Sequence, residues 1–285
     1  MQSDLWLEEK YKNFIGYRYK IKNTLFSGKS EFQSVDVVET EGLGKMLLND
    51  GLVMVTEKDE FVYHDMITHV PMFTHPNPEN VLIIGGGDGG TAREVLRHKS
   101  VKKCVMVEID KMVVDACKEH IHQTSKDLNH PKLELIIDDG LEYVKNTNLK
   151  FDVILIDSTD PIGPAAPLFN SAFYKNIKKC LTTKGIVVSQ GESVFFESHM
   201  QQILLGILGE HFSKVSIYNY SNLTYPGGLW SFTYASDVMD PIKDFNESRV
   251  PSSKLKFNYY NEQIHRAAFA LPTFMKEKIQ HLLKN

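Results

Sequence analysis

A glycine-rich loop that contains one aspartate is the first part of this sequence that could do chemistry. Gly85-Gly86-Gly87-Asp88-Gly89-Gly90 follows a short apolar segment and precedes a segment of helical length. The G-x-G-x-x-G spacing lets a nucleotide approach the backbone at a helix N-terminus. In a dinucleotide site, however, Asp88 would repel the pyrophosphate that this helix N-terminus attracts. The loop therefore argues against NAD and favours a nucleoside without phosphates that carries a positive charge, such as S-adenosylmethionine or a relative.

Further acids follow the next two apolar segments. Glu108 ends the second segment, where it could bind both hydroxyls of a ribose, and Asp138-Asp139-Gly140 ends the third, where a carboxylate could accept from an adenine amino group. Glu108 could instead be a capping or solvated acid, and the aspartate pair could form an Asx turn. Together with Asp88, these acids predict a nucleoside site.

A second acidic cluster, Asp157-Ser158-Thr159-Asp160-Pro161, ends the fourth apolar segment. The first and fourth strands of a doubly wound sheet flank its switch point, so we expect Asp88 and Asp157 to face one crevice. Asp160-Pro161 could merely start a turn. Converging acids would repel a phosphate and attract an amine, which predicts an amine substrate.

The elements that must position these acids form two patterns. Residues 71–285 alternate continuous apolar segments with helical ones, as a parallel sheet covered by helices requires. Two final strand segments predict a hairpin-like edge. The result is an α/β fold with a Rossmann-like, doubly wound, mostly parallel sheet. The five predicted strands before the hairpin are 81–84, 104–107, 133–137, 153–156 and 186–188, and the predicted helices are 91–98, 112–120, 172–180 and 195–208.

Residues 1–70 have short strand-like segments separated by Gly, Asn and Asp, which predict a small antiparallel β domain. Met66 begins a stretch that leads into His75-Pro76-Asn77-Pro78, and the two prolines there indicate a linker. We therefore place a domain boundary at about residue 70.

Composition excludes several protein classes. The 285 residues are 42% hydrophobic and 24% charged, which is typical of a globular protein, and the net charge of -4 offers no attraction for nucleic acid or an anionic membrane. The three cysteines, at widely spaced positions and without a CxxC pair, suggest neither disulfides nor a zinc site. We find no signal peptide and no apolar run long enough to span a membrane, so we expect a cytoplasmic protein.

As a set, these motifs resemble the spermidine synthases, which are putrescine aminopropyltransferases with a fold like that of the class I methyltransferases. The resemblance runs from about residue 5 to the C-terminus. Its other motifs are Glu108-Ile109-Asp110, Gln190-Gly191-Glu192, Tyr225-Pro226-Gly227-Gly228 and His265-Arg266-Ala267-Ala268-Phe269.

The resemblance implies aminopropyl transfer from decarboxylated S-adenosylmethionine, a co-substrate, to putrescine, without any cofactor or metal. It implies that Asp157 is the base, that Asp88 binds the donor ammonium and that Asp160 holds the distal ammonium of putrescine. The remaining donor-site residues are Gln33, Gly85, Glu108, Asp139, Gly140 and Pro164. The remaining residues around the amine are Tyr63, Gln190, Tyr225 and, with less support, His64, for which a buried and hydrogen-bonded structural role is the alternative.

The sequence departs from the family pattern at two places. It has Asp138-Asp139-Gly140 where the family often has Gly-Asp-Gly, and Thr159 where a serine is usual, but both changes keep the functional acid. The nearest rival is an N-methyltransferase on the same scaffold, and the presence of Gly140 and Gln190 argues against it. A polyamine-binding protein without catalysis would not need a donor pocket. By resemblance alone, we expect a homodimer or homotetramer that binds small-molecule amine and nucleoside substrates.

Overall fold

The computed structural model describes residues 4–159 and 167–284. The first part of the chain forms a five-stranded antiparallel sheet in which each strand pairs with the next along the chain. Its strands are β1 (Leu5–Tyr11), β2 (Ile15–Lys29), β3 (Ser34–Thr40), β4 (Lys45–Asn49) and β5 (Leu52–Thr56). This is the small antiparallel unit that the sequence predicts.

The second sheet has seven strands in the order β11-β12-β10-β9-β6-β7-β8. Its strands are β6 (Asn80–Gly85), β7 (Lys103–Glu108), β8 (Leu133–Ile137), β9 (Phe151–Asp157), β10 (Leu181–Ser193), β11 (Lys214–Ser221) and β12 (Leu229–Ser236). Strand β12 is antiparallel to both of its neighbours, whereas the other pairs are parallel. The predicted fold class, with its antiparallel edge, is confirmed.

Helices cover both faces of this sheet, and its central strands are therefore buried on both sides. The longer ones are α1 (Glu60–Thr74), α3 (Lys111–His120), α6 (Ser171–Cys180) and α7 (Ser198–His211), and the shorter ones are α2 (Gly90–Leu96), α4 (His122–Ser125), α5 (Gly140–Asn146), α8 (Arg249–Ser253), α9 (Glu262–Ala268) and α10 (Thr273–Ile279). Helix α3 also packs its apolar face, including Val113 and Cys117, on the first sheet near Val35 and Leu47. Through this packing, α3 connects the two sheets, which border a common space.

Helix α1 is the main element that the sequence analysis missed. The stretch read as the approach to a linker is helical as far as Thr74, and Pro71 lies in the last turn of the helix. Every residue of α1 except Phe61 is buried, so the segment has little of the alternation between apolar and polar faces that marks a surface helix. The position at which we place the domain boundary, residue 70, therefore lies inside this helix.

Candidate active site

A cavity of about 230 Å³ lies between the first sheet and the carboxyl ends of the central strands of the second sheet. One wall comes from β4 and β5, through residues such as Leu47, Val53 and Met54, and the other comes from the loops after β6, β7, β8 and β9. Ligands of open α/β sheets bind at this edge, outside the strands' carboxyl ends. All of the sequence-predicted site residues that lie within the described ranges line this cavity.

The glycine loop lies against the end of β9. The N–H of Gly86 donates to the main-chain oxygen of Asp157 at 2.9 Å, and a Cβ atom at Gly85 would lie 2.1 Å from that oxygen. Gly85 also has a φ of +83°, in the region that favours glycine. Because Gly85 has no side chain, the loop that carries Asp88 can lie directly against the end of the strand that carries Asp157.

Asp88 and Asp157 converge as the sequence predicts. A carboxylate oxygen of each lies within 4.8 Å of the other and of a ring nitrogen of His64. Oδ1 of Asp88 accepts from the N–H of Gly90 at 2.9 Å, at the start of α2. Asp88 therefore serves the helix N-terminus while its carboxylate lines the cavity.

Two hydroxyl groups hold the side chain of Asp157. Tyr63 donates to Oδ1 at 2.8 Å, and Thr91 donates to Oδ2 at 2.6 Å. Burial and the neighbouring charge of Asp88 raise the pKa of Asp157, whereas His64 and the two hydroxyl groups oppose the increase. The result is a fixed carboxylate that accepts a proton more readily than an ordinary aspartate. The sequence analysis missed Thr91, although its position directly after the glycine loop was a usable signal.

The two candidate tyrosines do different things. The hydroxyl of Tyr63, on α1, donates to Asp157, whereas that of Tyr225 donates to the main-chain oxygen of Met54 at 2.6 Å. The Tyr63 ring meets the rings of Tyr225 and Phe232 edge-on, with centroids 6.0 and 4.9 Å apart. These rings form an apolar wall beside the carboxylates.

His64 is buried and hydrogen-bonded, as the structural alternative holds, and it also lines the cavity. Its Nδ1 lies 2.5 Å from Oε2 of Glu60, and its Nε2 lies 3.5 Å from Oδ1 of Asp88. Arg93 donates to both carboxylate oxygens of Glu60 at 2.9 Å. The sequence analysis did not single out Glu60 or Arg93.

The predicted nucleoside end is built around Glu108, which is buried and accepts from the N–H of Asp110 at 2.8 Å. Burial raises the pKa of Glu108 to about 7. Nε2 of Gln33 donates to Oδ2 of Asp110 at 3.0 Å, so these residues join β7 to the loop before β3.

Of the two aspartates that follow β8, only Asp139 lines the cavity, and both accept local main-chain hydrogen bonds, as in the turn alternative. Asp139 lines the cavity and also caps α5, because its Oδ1 accepts from the N–H of Leu141 at 2.8 Å. Asp138 is exposed and accepts from the N–H of Asp139. Asp138 does not line the cavity. Gly140 is required here, since a Cβ atom would lie 2.6 Å from a methyl group of Ile84.

Gln190 is buried on β10 and lines the cavity. Two predicted site residues, Asp160 and Pro164, lie outside the described residues.

Within the described ranges, no helix is both long enough and apolar enough to cross a membrane.

The chain matches two family descriptions that together span most of its length. Residues 60–246 match the "Spermine/spermidine synthase domain", and residues 5–57 match the "Spermidine synthase tetramerisation domain". The two matches meet in the short segment between β5 and α1.

Curated relatives cover almost the whole chain. A protein of Alkaliphilus metalliredigens named polyamine aminopropyltransferase is 47% identical over 98% of this chain and 99% of its own length. A protein of Methanocaldococcus jannaschii with the same name is 42% identical over 98% of this chain and 97% of its own.

A solved spermidine synthase in complex with the transition-state analogue AdoDATO is also similar. It has a TM-score of 0.95 at 42% identity and covers 97% of this chain and 95% of that chain. The structure of spermidine synthase from Thermotoga maritima has a TM-score of 0.94, again at 42% identity, and covers 98% of this chain and 96% of that one. The chain therefore belongs to the spermine/spermidine synthase family and is an aminopropyltransferase.

Proposed function

We propose that this enzyme transfers the aminopropyl group of decarboxylated S-adenosylmethionine to putrescine, giving spermidine and methylthioadenosine by direct displacement with Asp157 as the base. The observation that carries the proposal is the pairing of Asp88, on the glycine loop, with Asp157, held by Tyr63 and Thr91, at one end of a single cavity. The site thus offers one carboxylate for a cation that binds and another for a proton that leaves.

At the donor end, Glu108 and Gln33 would bind the ribose, Asp139 would accept from the adenine amino group, and Gly85 and Gly140 would leave room for the nucleoside. All five line the cavity. In this arrangement Asp88 would face the ammonium of the aminopropyl group. The sulfonium leaves as a neutral thioether, so the proposed reaction needs no metal ion and no cofactor.

The main cost of the reaction lies in the nucleophile. An alkyl amine with a pKa near ~10.4 must lose its proton before it attacks, which at pH 7 costs roughly 4.6 kcal/mol. Alignment of two bound reactants can contribute ~7 kcal/mol or more. Asp157 would accept the proton, because its orientation is fixed and its pKa is raised by burial and by Asp88.

The hydrogen bonds support a division of work among the aromatic residues. Tyr63 would orient the base, whereas Tyr225, whose hydroxyl is directed to Met54, would form a wall along the methylene chain of putrescine. Gln190 would line the same part of the site. Asp160, from the sequence resemblance alone, would hold the distal ammonium, and Pro164 would belong to the donor side.

The proposal extends to assembly and location. Residues 5–57 match a family domain named for tetramerisation, which supports a homodimer or homotetramer. We also propose that the protein is cytoplasmic and that its ligands are small-molecule amines and nucleosides.

A matrix of donors and acceptors tests the function. Purified enzyme is incubated with decarboxylated or intact S-adenosylmethionine and with putrescine, agmatine, cadaverine or spermidine, and the products are identified by mass spectrometry. We expect spermidine and methylthioadenosine from the decarboxylated donor and putrescine. Methylated putrescine from the intact donor would instead identify an N-methyltransferase, and preferred use of another amine would overturn the putrescine assignment.

A further inference from the structure

The imidazole of His64 lies between two carboxylates. Its Nδ1 is 2.5 Å from Oε2 of Glu60, and its Nε2 is 3.5 Å from Oδ1 of Asp88. A neutral imidazole has one N–H donor and one acceptor nitrogen, whereas an imidazolium has two donors. With an ionised acid on each side, only the imidazolium can donate to both.

Glu60 is itself fixed as an anion. Arg93 donates to Oε1 and Oε2 at 2.9 Å each, and Gln123 donates to Oε1 at 2.8 Å. Both Glu60 and Arg93 are buried, so each charge depends on the other for its stabilisation. This pair therefore directs one permanent negative charge at Nδ1 of His64.

The His64 ring has little freedom to turn away. A Cβ atom at Gly90 would lie 2.2 to 2.4 Å from three ring atoms, so the ring rests directly on the backbone of α2. The Tyr63 ring meets it edge-on at 5.6 Å. The charged or titratable groups around the ring are Glu60 and Tyr63 from α1, Asp88 from the glycine loop and Asp157 from β9, with Arg93 behind Glu60.

We propose that Glu60, clamped by Arg93, is a positioning residue that keeps His64 as an imidazolium, so that a fixed cation stands beside Asp88 and Asp157. Burial by itself would lower the pKa of His64, but the two carboxylates raise it to about 10. Burial by itself would raise the pKa of Glu60, but His64 and Arg93 lower it to about 2.

The fixed cation would affect the proton transfer of the proposed function, on which this consequence rests. A positive charge within 4.8 Å of Asp157 favours its ionised form, which is the form that can accept a proton. The same charge disfavours an ammonium on the attacking amine. His64 would therefore counter the tendency of the surrounding acids to keep that amine protonated.

The first test measures the charge of His64 without any substrate, so its outcome does not depend on the proposed function. Protein labelled with 15N-histidine is titrated by NMR, and the His64 signals are assigned by their loss in His64→Gln. We expect both ring nitrogens to remain protonated up to at least pH 8. A neutral His64 at pH 7 in the parent would overturn the proposal, whatever the variants at Glu60 show.

The second test compares two buried carboxylates that contact the same arginine. Glu60→Gln should lower the pH at which His64 loses its proton by at least about one unit. Glu94→Gln is the matched control, since Glu94 accepts from Nε of Arg93 at 2.9 Å but contacts the ring of His69 and not that of His64. An equal shift in both variants, or no shift in either, would contradict the proposal.

Kinetics supply the functional readout. If Glu60→Gln leaves His64 neutral at the pH of the acid limb of kcat/KM, and if that limb reports Asp157, the limb should move up by about one pH unit, with a loss of about tenfold below it. The limb should stay in place in Glu94→Gln. The titration of the free amine is common to both enzymes and cancels in their ratio. An unmoved limb in Glu60→Gln, with His64 shown to be neutral, would remove the link to Asp157.

Discussion

The hydroxyl of Tyr63 donates a hydrogen bond of 2.8 Å to Oδ1 of Asp157. Tyr63 lies on α1, which follows the first sheet, and Asp157 ends β9 of the second sheet. This bond thus connects two parts of the chain at the point where the proposed proton transfer occurs. It also predicts which tyrosine sets the pH dependence of the reaction.

Tyr63→Phe should shift the acid limb of the pH profile upwards. The hydrogen bond stabilises the ionised carboxylate, so its loss raises the pKa of Asp157 and a higher pH is needed to ionise it. Tyr225→Phe is the matched control, because that hydroxyl donates to Met54. It should leave the limb in place and act mainly on KM. Profiles of kcat/KM for both variants check this, and a larger shift in Tyr225→Phe would reverse the assignment.

Gly90→Ala should destabilise the protein and impair turnover, because the added methyl group would overlap the ring of His64. Overpacking of this kind typically costs about 1–3 kcal/mol. Gly206→Ala, in α7, is the control: nothing lies within 4 Å of its Cβ position, and alanine there should add up to about 1 kcal/mol of stability. Urea denaturation compares the two, and equal stability of both variants would show that the ring can move without cost.

Asp88→Asn should reduce the ratio by which the enzyme binds the decarboxylated donor more tightly than the intact donor. The intact donor carries a carboxylate that Asp88 would repel; at about 5 Å and an effective dielectric near 20, this contact costs roughly 3 kcal/mol. Asparagine keeps an oxygen that can accept from the N–H of Gly90, so the helix start is preserved. Calorimetric titration of both donors measures the ratio of affinities. An unchanged ratio would mean that Asp88 serves only the helix.

Glu108→Gln should stabilise the protein more at pH 8 than at pH 5. Burial raises the pKa of Glu108 from 4.5 to about 7, so between these values the folded state holds a proton that the unfolded state has released. Stability is therefore lost as the pH rises, by about 3 kcal/mol in all. Gln cannot ionise and avoids this loss. Denaturation measurements give the free energy of unfolding of both proteins at the two pH values. A difference between the proteins that is the same at pH 5 and pH 8 would contradict the raised pKa of Glu108.

The convergence of Asp88 and Asp157 could be predicted from the sequence because each acid ends or follows a continuous apolar strand, and sheet topology then decides which strands are neighbours. The same logic located Glu108 and Asp139. It needed only the order of the strands along the chain.

The partners of these acids could not be predicted in the same way. Helix α1 carries Glu60, Tyr63 and His64, but it is buried on nearly every side and so lacks the periodicity by which a helix is recognised. Without its position, nothing in the sequence distinguished Tyr63 from Tyr225 as the residue that orients Asp157. The wall from β4 and β5 was missed as a site component because it consists largely of aliphatic residues with no chemical signature.

The steady-state kinetics of Asp157→Asn test the central claim most directly. Asparagine keeps the size of the side chain and an oxygen that can accept from Tyr63 or Thr91, but it cannot take a proton from the amine. We expect kcat to fall by about 10² to 10⁴, the usual contribution of a general base, while calorimetry finds donor binding intact. A variant whose kcat stayed within about threefold of the parent would contradict the role of Asp157 as the base, even if its KM increased.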